Sequence, residues 1–493
     1  MNMASTQQKV IRPVGSLAKF NTARHSLGLI RSVIVTCRYM SRPYTREQLE
    51  SLMENALATV ILAQPILGVG IAGEDTKEPT FVHIEKIDMR RMIEWKELPR
   101  SRDDNNLVRS LEKLHEPLWE DLAGKPGWKI VIHYDPAALY DETILNLDPT
   151  LEDPTISLDI SFCFHHAYAD GRSGYIFHRD LRRAMNATNT SELLQDHILH
   201  LSTPPAIPPP METLIPFTLS WGFKLRTVWT ELVKPALPGG RGSNAPWTGN
   251  PTDASDPRTN IRLIRIDRKS SIKEILELCR RHNASLTGLI HALVAQSLAR
   301  QLPGRDFVSS TPISLVNYVD AEKAETGNFT PGENIHCLVT ALTCVHRHDE
   351  PREVWAFAAD MTKRLRRRAG TLPRDDVWGL ASLVGDWHDF FRGKIGKKKR
   401  EITWEVSNLG SIGFNDRGRL GDMGWYIDRA IFTQGALPVG AAIGVNVSGV
   451  EGLAEGVIVT FTWQERAVDE GVMDGLVGEM SLWFDGVSDK VPG

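Results

Sequence analysis

Apolar and polar residues alternate without a break along Ile156-Ser157-Leu158-Asp159-Ile160-Ser161-Phe162-Cys163-Phe164, the period of a β-strand with one apolar face. Ile156, Leu158, Ile160, Phe162 and Phe164 form that face. A continued pleat turns His166 the same way and leaves His165 opposite, beside Ser161 and Cys163. Upstream, residues 32–39 read as a strand. Thr45 with Gln48 makes a capping box for a helix whose Leu49, Leu52, Met53, Ala56, Leu57, Val60 and Ile61 follow the helical period until Pro65. Strands are expected at 81–87 and 128–134, a helix through Leu111, Leu114 and Leu118, a loop at 148–154, and a helix at 174–187.

The second half repeats the mixture, with strands at 261–266, 307–316, 335–345, 402–410, 440–448 and 456–463. Helices alternate with them at 271–282, 285–301, 352–368 and 469–484. Between the halves the character changes. Pro204, Pro205, Pro208, Pro209 and Pro210 cannot occupy a helix interior, and Gly239-Gly240-Arg241-Gly242-Ser243 is a turn. Residues 217–233, with Trp221, Phe223 and Trp229, form an amphipathic stretch suited to a membrane surface or a substrate mouth; the preferred reading is a helix packed on the seam between lobes. The division is 1–202 for an N-terminal lobe, 203–258 for a linker and 259–493 for a C-terminal lobe.

Composition narrows the function classes. A formal net charge of −4 leaves no electrostatic footprint for nucleic acid. No apolar run of about eighteen residues spans a membrane, which leaves at most peripheral contact. The first nine residues lack an apolar signal core, and five cysteines without a Cys-x-x-Cys pair suit a reducing, cytoplasmic location. Gly68-Val69-Gly70-Ile71-Ala72-Gly73 matches a dinucleotide fingerprint in letters only, because a helix precedes it and a charged turn follows it. No Gly-x-Ser-x-Gly elbow and no phosphate loop exist.

Chemistry concentrates where the alternating strand ends, at His165-His166-Ala167-Tyr168-Ala169-Asp170-Gly171. An imidazole closing a buried strand before an Asp-Gly turn suits a positioned general base. A metal held by His165, His166 and Asp170 is not expected, since adjacent strand residues diverge. Cys163 reads as a small core residue.

The His-His-x-x-x-Asp-Gly pattern resembles the signature of the chloramphenicol acetyltransferase-like superfamily. Glu405-Val406-Ser407-Asn408-Leu409-Gly410 is similar to the segment that crosses between lobes in the fungal alcohol acetyltransferases of that superfamily. Gly327-Asn328-Phe329 resembles its glycine-plus-aromatic segment. Many branches carry an arginine where this chain reads Asn317-Tyr318-Val319-Asp320, and the plant-branch Asp-Phe-Gly-Trp-Gly is absent, so the fungal type fits better.

The resemblance implies an α/β (α+β sandwich) fold of two chloramphenicol acetyltransferase-like lobes around a central tunnel, with a segment near 380–430 crossing back to the N-terminal lobe. It implies His166 as the base that deprotonates an acceptor hydroxyl during attack on an acyl thioester. His165 and Asp170 are then structural, the aspartate usually pairing with an arginine. The oxyanion needs a donor: the Gly171 amide and the Ser407 or Asn408 side chain are candidates, the alternative for the latter two being an ordinary strand end. The expected enzyme is a monomeric acyl-CoA-dependent O-acyltransferase with no bound cofactor, using acetyl-CoA as co-substrate and a small-molecule hydroxyl acceptor. A stand-alone condensation-type N-acyltransferase and a non-catalytic binding protein of the same fold are the alternatives.

Overall fold

The computed structural model describes residues 9–99, 103–139, 156–187, 193–228, 245–251, 254–256, 258–266, 272–350, 353–395, 400–413, 424–451 and 456–486. The expected loop at 148–154, the turn at 239–243 and Trp229 lie outside them. Two large sheets define two lobes. Their strands, in chain order, are Val33–Ser41 (β1), Ile93–Glu97 (β2), Trp128–Tyr134 (β3), Ile156–Phe164 (β4), Thr259–Ile266 (β5), Phe307–Ser314 (β6), Val339–His346 (β7), Ile402–Ile412 (β8), Tyr426–Gln434 (β9), Ala441–Val450 (β10) and Val457–Gln464 (β11). The first sheet runs β9-β1-β4-β3-β2 and the second β5-β11-β10-β8-β6-β7. The principal helices are Ser16–Ser26 (α1), Arg46–Ala63 (α2), Asn105–Leu114 (α3), Gly171–Asn186 (α4), Leu286–Gln301 (α5), Val354–Thr371 (α6) and Glu470–Asp485 (α7).

The alternating strand is β4, in the middle of the first sheet. Its apolar face packs under α2 and α4, where Phe162 stacks on Phe177 with ring centroids 3.9 Å apart. The other face is not solvated, which corrects the one-sided reading. Cys163 is buried among Leu107, Leu111, Ile261 and Ile458, so this face meets α3 and the second lobe. Its polar groups are satisfied internally, as burial demands: Ser161 Oγ lies 2.8 Å from Thr36 Oγ1, and Asp159 takes two hydrogen bonds from Arg38.

β9 comes from the second half of the chain, yet it forms the edge of the first sheet, antiparallel to β1 from Tyr426↔Met40 to Gln434↔Val33. Residues 405–410, the segment similar to a lobe crossing, sit inside β8 in the second sheet, and only Leu409 and Ile412 reach the first lobe's core. Buried Arg429 of β9 donates to Asp159 at 2.9 Å and to Asp104 at 2.7 Å. Arg265 of β5 donates to the same Asp104. One charge network thus ties both sheets together.

Several expected elements differ in detail. Thr45 and Gln48 do form the capping box of α2. The strand expected from 335 begins only at Val339, because residues 336–338 pair with the histidine loop instead. The amphipathic stretch contains the helix Trp221–Val228, but Trp221 is 79% and Leu225 69% exposed, so it does not pack on the seam. The seam contact comes earlier, where Phe217 and Leu219 surround Gly379. Among the described residues no helix is long and apolar enough to cross a membrane.

Candidate active site

His165 is fully buried. Its Nδ1 accepts the Ala167 N–H at 2.9 Å, so the ring proton is on Nε2, which donates to Glu74 Oε1 at 2.8 Å. His25 of α1 mirrors it: its Nε2 accepts the Trp119 N–H at 3.0 Å and its Nδ1–H donates to the same Glu74 oxygen at 2.8 Å. Burial alone would raise the Glu74 pKa, but the hydrogen bonds from the two imidazoles hold it down to about 2. Burial, with His25 beside it, pushes His165 down to about 4. His25, Glu74 and His165 bring three ligand-type atoms together. Both ring nitrogens facing the carboxylate carry protons, however, and a metal needs lone pairs there. The cluster is a carboxylate gripped by two imidazole N–H groups.

His166 has the opposite arrangement. Its Nδ1–H donates to Ala169 O at 2.9 Å, which leaves the Nε2 lone pair with no partner among the described residues. Asn21 of α1 donates to the His166 carbonyl at 3.2 Å, fixing the backbone. Burial lowers the imidazole pKa and Arg24 lowers it further, so the ring is neutral at pH 7. A neutral, oriented imidazole with one free lone pair is what proton abstraction needs.

Asp170 caps α4. Its Oδ1 accepts the Ser173 N–H at 2.9 Å and the Ser173 hydroxyl at 3.1 Å. Its Oδ2 accepts the Leu338 N–H at 3.1 Å, and its own N–H donates to His336 O at 3.0 Å. The expected arginine partner is thus absent among the described residues. The backbone of His336 and Leu338, just ahead of β7, takes that place and clips the loop to the other lobe.

Gly171 opens α4. A Cβ there would stand 2.6 Å from Leu409 Cδ2 and 3.1 Å from Phe432 Cζ, so side chains of β8 and β9 approach it closely and favour glycine. One turn on, a Cβ on Gly174 would stand 2.3 Å from Val35 Cγ2 of β1. The Gly171 N–H is one of the orphan donors of the helix start.

The two candidates on β8 separate by strand parity. Asn408 shares its face with Trp404 and Val406, residues of the second lobe's core. Its amide donates to Thr287 Oγ1 at 3.0 Å while its carbonyl accepts the Gly410 N–H at 2.8 Å. Asn408 is therefore committed elsewhere and is withdrawn as an oxyanion donor. Ser407 lies on the other face with Glu405 and Leu409, toward the first lobe, and its hydroxyl has no partner among the described residues.

Three residues join the site that the linear pattern did not single out. Cys337 Sγ is 3.7 Å from His166 Nδ1, and burial raises its pKa well above the ordinary value, so it is a neutral thiol. Arg24, one helical turn beyond Asn21, is half-buried; burial lowers its pKa to about 10, against the pull of Glu405. Glu405 accepts the Ser310 hydroxyl at 3.1 Å, and burial raises its pKa. The one hint in the sequence is Asn21, Arg24 and His25, polar at helical spacing on a short helix. Beside Cys337 a small cavity of about 50 Å³ is lined by Ala167, Tyr168, Phe81, Pro209 and Met211.

The alcohol acetyltransferase family model matches residues 148–468, which include β4 and His166, β8 and β9. A probable alcohol acetyltransferase, FCK4, of Fusarium pseudograminearum is 26% identical over 98% of this chain and 96% of its own. The probable alcohol acetyltransferase crmB of Aspergillus fumigatus is 24% identical over 93% of this chain and 96% of its own. Among solved structures, trichothecene 15-O-acetyltransferase TRI3 from Fusarium sporotrichioides has a TM-score of 0.64 at 13% identity, covering 97% of this chain and 94% of that one. The first condensation domain of the calcium-dependent antibiotic synthetase reaches 0.59 at 12% identity, covering 97% and 96%. These two share the two-lobed, chloramphenicol acetyltransferase-like fold. Because the family model spans the histidine strand and the strands that close over it, this chain belongs to the alcohol acetyltransferase family and is an acyltransferase that moves an acyl group onto an alcohol.

Proposed function

We propose that the protein is an acetyl-CoA-dependent O-acetyltransferase acting on a small hydroxylated molecule, with His166 as general base. The observation that carries the reading is the hydrogen bond from His166 Nδ1–H to Ala169 O, which leaves the Nε2 lone pair unengaged. Nε2 takes the acceptor's hydroxyl proton as its oxygen bonds to the thioester carbonyl carbon. The resulting oxyanion is met by the Gly171 N–H and the Ser407 hydroxyl. Collapse breaks the carbon–sulfur bond, and the departing thiolate recovers the proton from the imidazolium, giving the ester and free CoA.

No covalent enzyme intermediate is involved; Cys337, held as a neutral thiol, is not the nucleophile. One chain supplies both sides of the site, so the proposed working unit is a monomer. The five cysteines are all free, which suits a cytoplasmic enzyme. The test is thiol release from acetyl-CoA with a panel of alcohols. Alcohol-dependent release supports the reading, and amine dependence would favour the condensation-type chemistry instead. His166→Ala should cost roughly 10²–10⁴-fold in rate. A folded His166→Ala protein with near-native turnover would overturn the assignment.

A further inference from the structure

Two oppositely charged side chains, Arg24 and Glu405, one from each lobe, lie within Coulombic reach of each other, Arg24 also within reach of His166, and the transfer step uses neither. Arg24 follows Asn21 by three residues, so the two share a face of α1 with neighbouring side chains, and Asn21 holds the His166 carbonyl. The guanidinium has one weak internal hydrogen bond, to Asn21 Oδ1 at 3.4 Å, and lies over the Phe20 ring at 5.1 Å. Among the described residues no carboxylate comes within ion-pair distance of it. Glu405 precedes Leu409 by four residues on the same face of β8, and Leu409 packs on Gly171. It accepts from Ser310 and Gln434. Arg24, His166, Cys337 and Glu405 are all half-buried although they belong to the interior, and Arg24 is within Coulombic reach of the other three. Partial exposure of these four groups gathered around Arg24, two from each lobe, leaves each of them open to solvent where the lobes meet.

Resting on the acyl-transfer reading, we infer that Arg24 and Glu405 form an acceptor subsite that selects alcohols bearing a second oxygen function near the hydroxyl to be acylated. Arg24 donates to a carbonyl or ether oxygen, and Glu405 accepts from a hydroxyl. Once the acceptor expels water, the remaining Arg24 donors and Glu405 lone pairs lose their solvent partners, and an alcohol with a purely hydrocarbon body replaces neither. The penalty for leaving them unpaired falls on that acceptor alone, so discrimination comes from the missing contact.

The experiment measures kcat/KM with acetyl-CoA for cyclohexanol and for cyclohexane-1,2-diol, in the wild type, Arg24→Gln and Glu405→Gln. The wild type is expected to prefer the diol at least tenfold, and each variant to reduce that ratio about tenfold. A change in His166 acidity moves both acceptors together and cancels in the ratio. Two separate variants keep the test intact if one of them fails to fold. A ratio unchanged in a folded variant, with alcohol-dependent CoA release still present, overturns the subsite alone. Absence of release by the wild type with either acceptor and with the wider alcohol panel overturns the acyl-transfer reading, and the subsite with it.

Discussion

Replacing Gly174 by alanine tests how tightly the catalytic loop depends on the helix behind it. The new Cβ would stand 2.3 Å from Val35 Cγ2 and 2.8 Å from Val35 Cβ. Carbon atoms settle at about 3.5–4.0 Å, so one side must yield by roughly 1 Å or more. Val35 is fully buried on β1, hydrogen-bonded between β9 and β4, and has no room to retreat. The displacement therefore falls on the start of α4, which carries the Asp170 cap and Gly171. Overpacking of this kind costs about 1–3 kcal/mol, and a shift near 1 Å at a reacting group costs about 10²-fold in rate.

Gly171→Ala is the internal comparison. Its nearest obstacle, at 2.6 Å, is the tip of Leu409, which can turn aside more readily than a strand Cβ. Val35→Ala removes the 2.3 Å contact but keeps the 2.8 Å one, so the double variant should recover part of the loss, with a coupling of about 1 kcal/mol or more. Urea midpoints followed by tryptophan fluorescence, together with kcat/KM, measure both effects. Gly174→Ala at wild-type stability and rate, or a double variant no better than the single one, would refute the reasoning.

Other outcomes follow from the charge and hydrogen-bond networks. Arg429→Met leaves Asp159 and Asp104 short of a buried partner and should destabilise by about 3–5 kcal/mol, read from denaturant midpoints. Glu74→Ala strands two imidazole N–H groups at about 1–3 kcal/mol each, whereas Glu74→Gln keeps an accepting oxygen and should restore most of the midpoint. Arg24→Gln removes a cation that disfavours the imidazolium, so the acid limb of the kcat/KM profile should move to higher pH; movement to lower pH would contradict the placement of Arg24. Stability should also fall in acid in two stages. The His165 contribution is full above its ordinary 6.5 and is lost as pH falls toward about 4; the Glu74 contribution is full above 4.5 and fades toward about 2. A midpoint flat between pH 7 and pH 3 would rule this out.

The elements that sequence pattern reveals are those whose partners lie close by or whose period is unbroken. β4 alternates through nine residues, and Thr45 and Gln48 cap α2 from within it, so both were legible. β9 was not: it joins the sheet with an irregularity between Ile427 and Arg429, where Asp428 breaks the two-residue period. Asn408 illustrates parity. Ser407 and Asn408 are equivalent as letters, and only the register of β8 against β10 turns one toward the other lobe. Arg24 and Glu405 come within Coulombic reach from distant parts of the chain, a proximity that no local pattern encodes. Likewise, the role expected of an arginine at Asp170 passes to the Leu338 N–H, and a backbone donor leaves no trace in residue identity.

The donated strand also sets a timetable. During synthesis β1 and β4 have both left the ribosome once the first lobe's histidine strand is made, but the segment that covers the free edge of β1 follows roughly 260 residues after β4, or about 13–50 s at ordinary elongation rates. Throughout that interval the nascent first lobe holds an uncapped hydrogen-bonding edge, the kind of surface on which other chains nucleate aggregates. A ribosome that stalls between the two lobes, or a stop codon ahead of Tyr426, therefore releases a chain with every letter of the histidine motif and no closed sheet to hold it. Chaperone demand and degradation of such fragments should depend on whether β9 has been made.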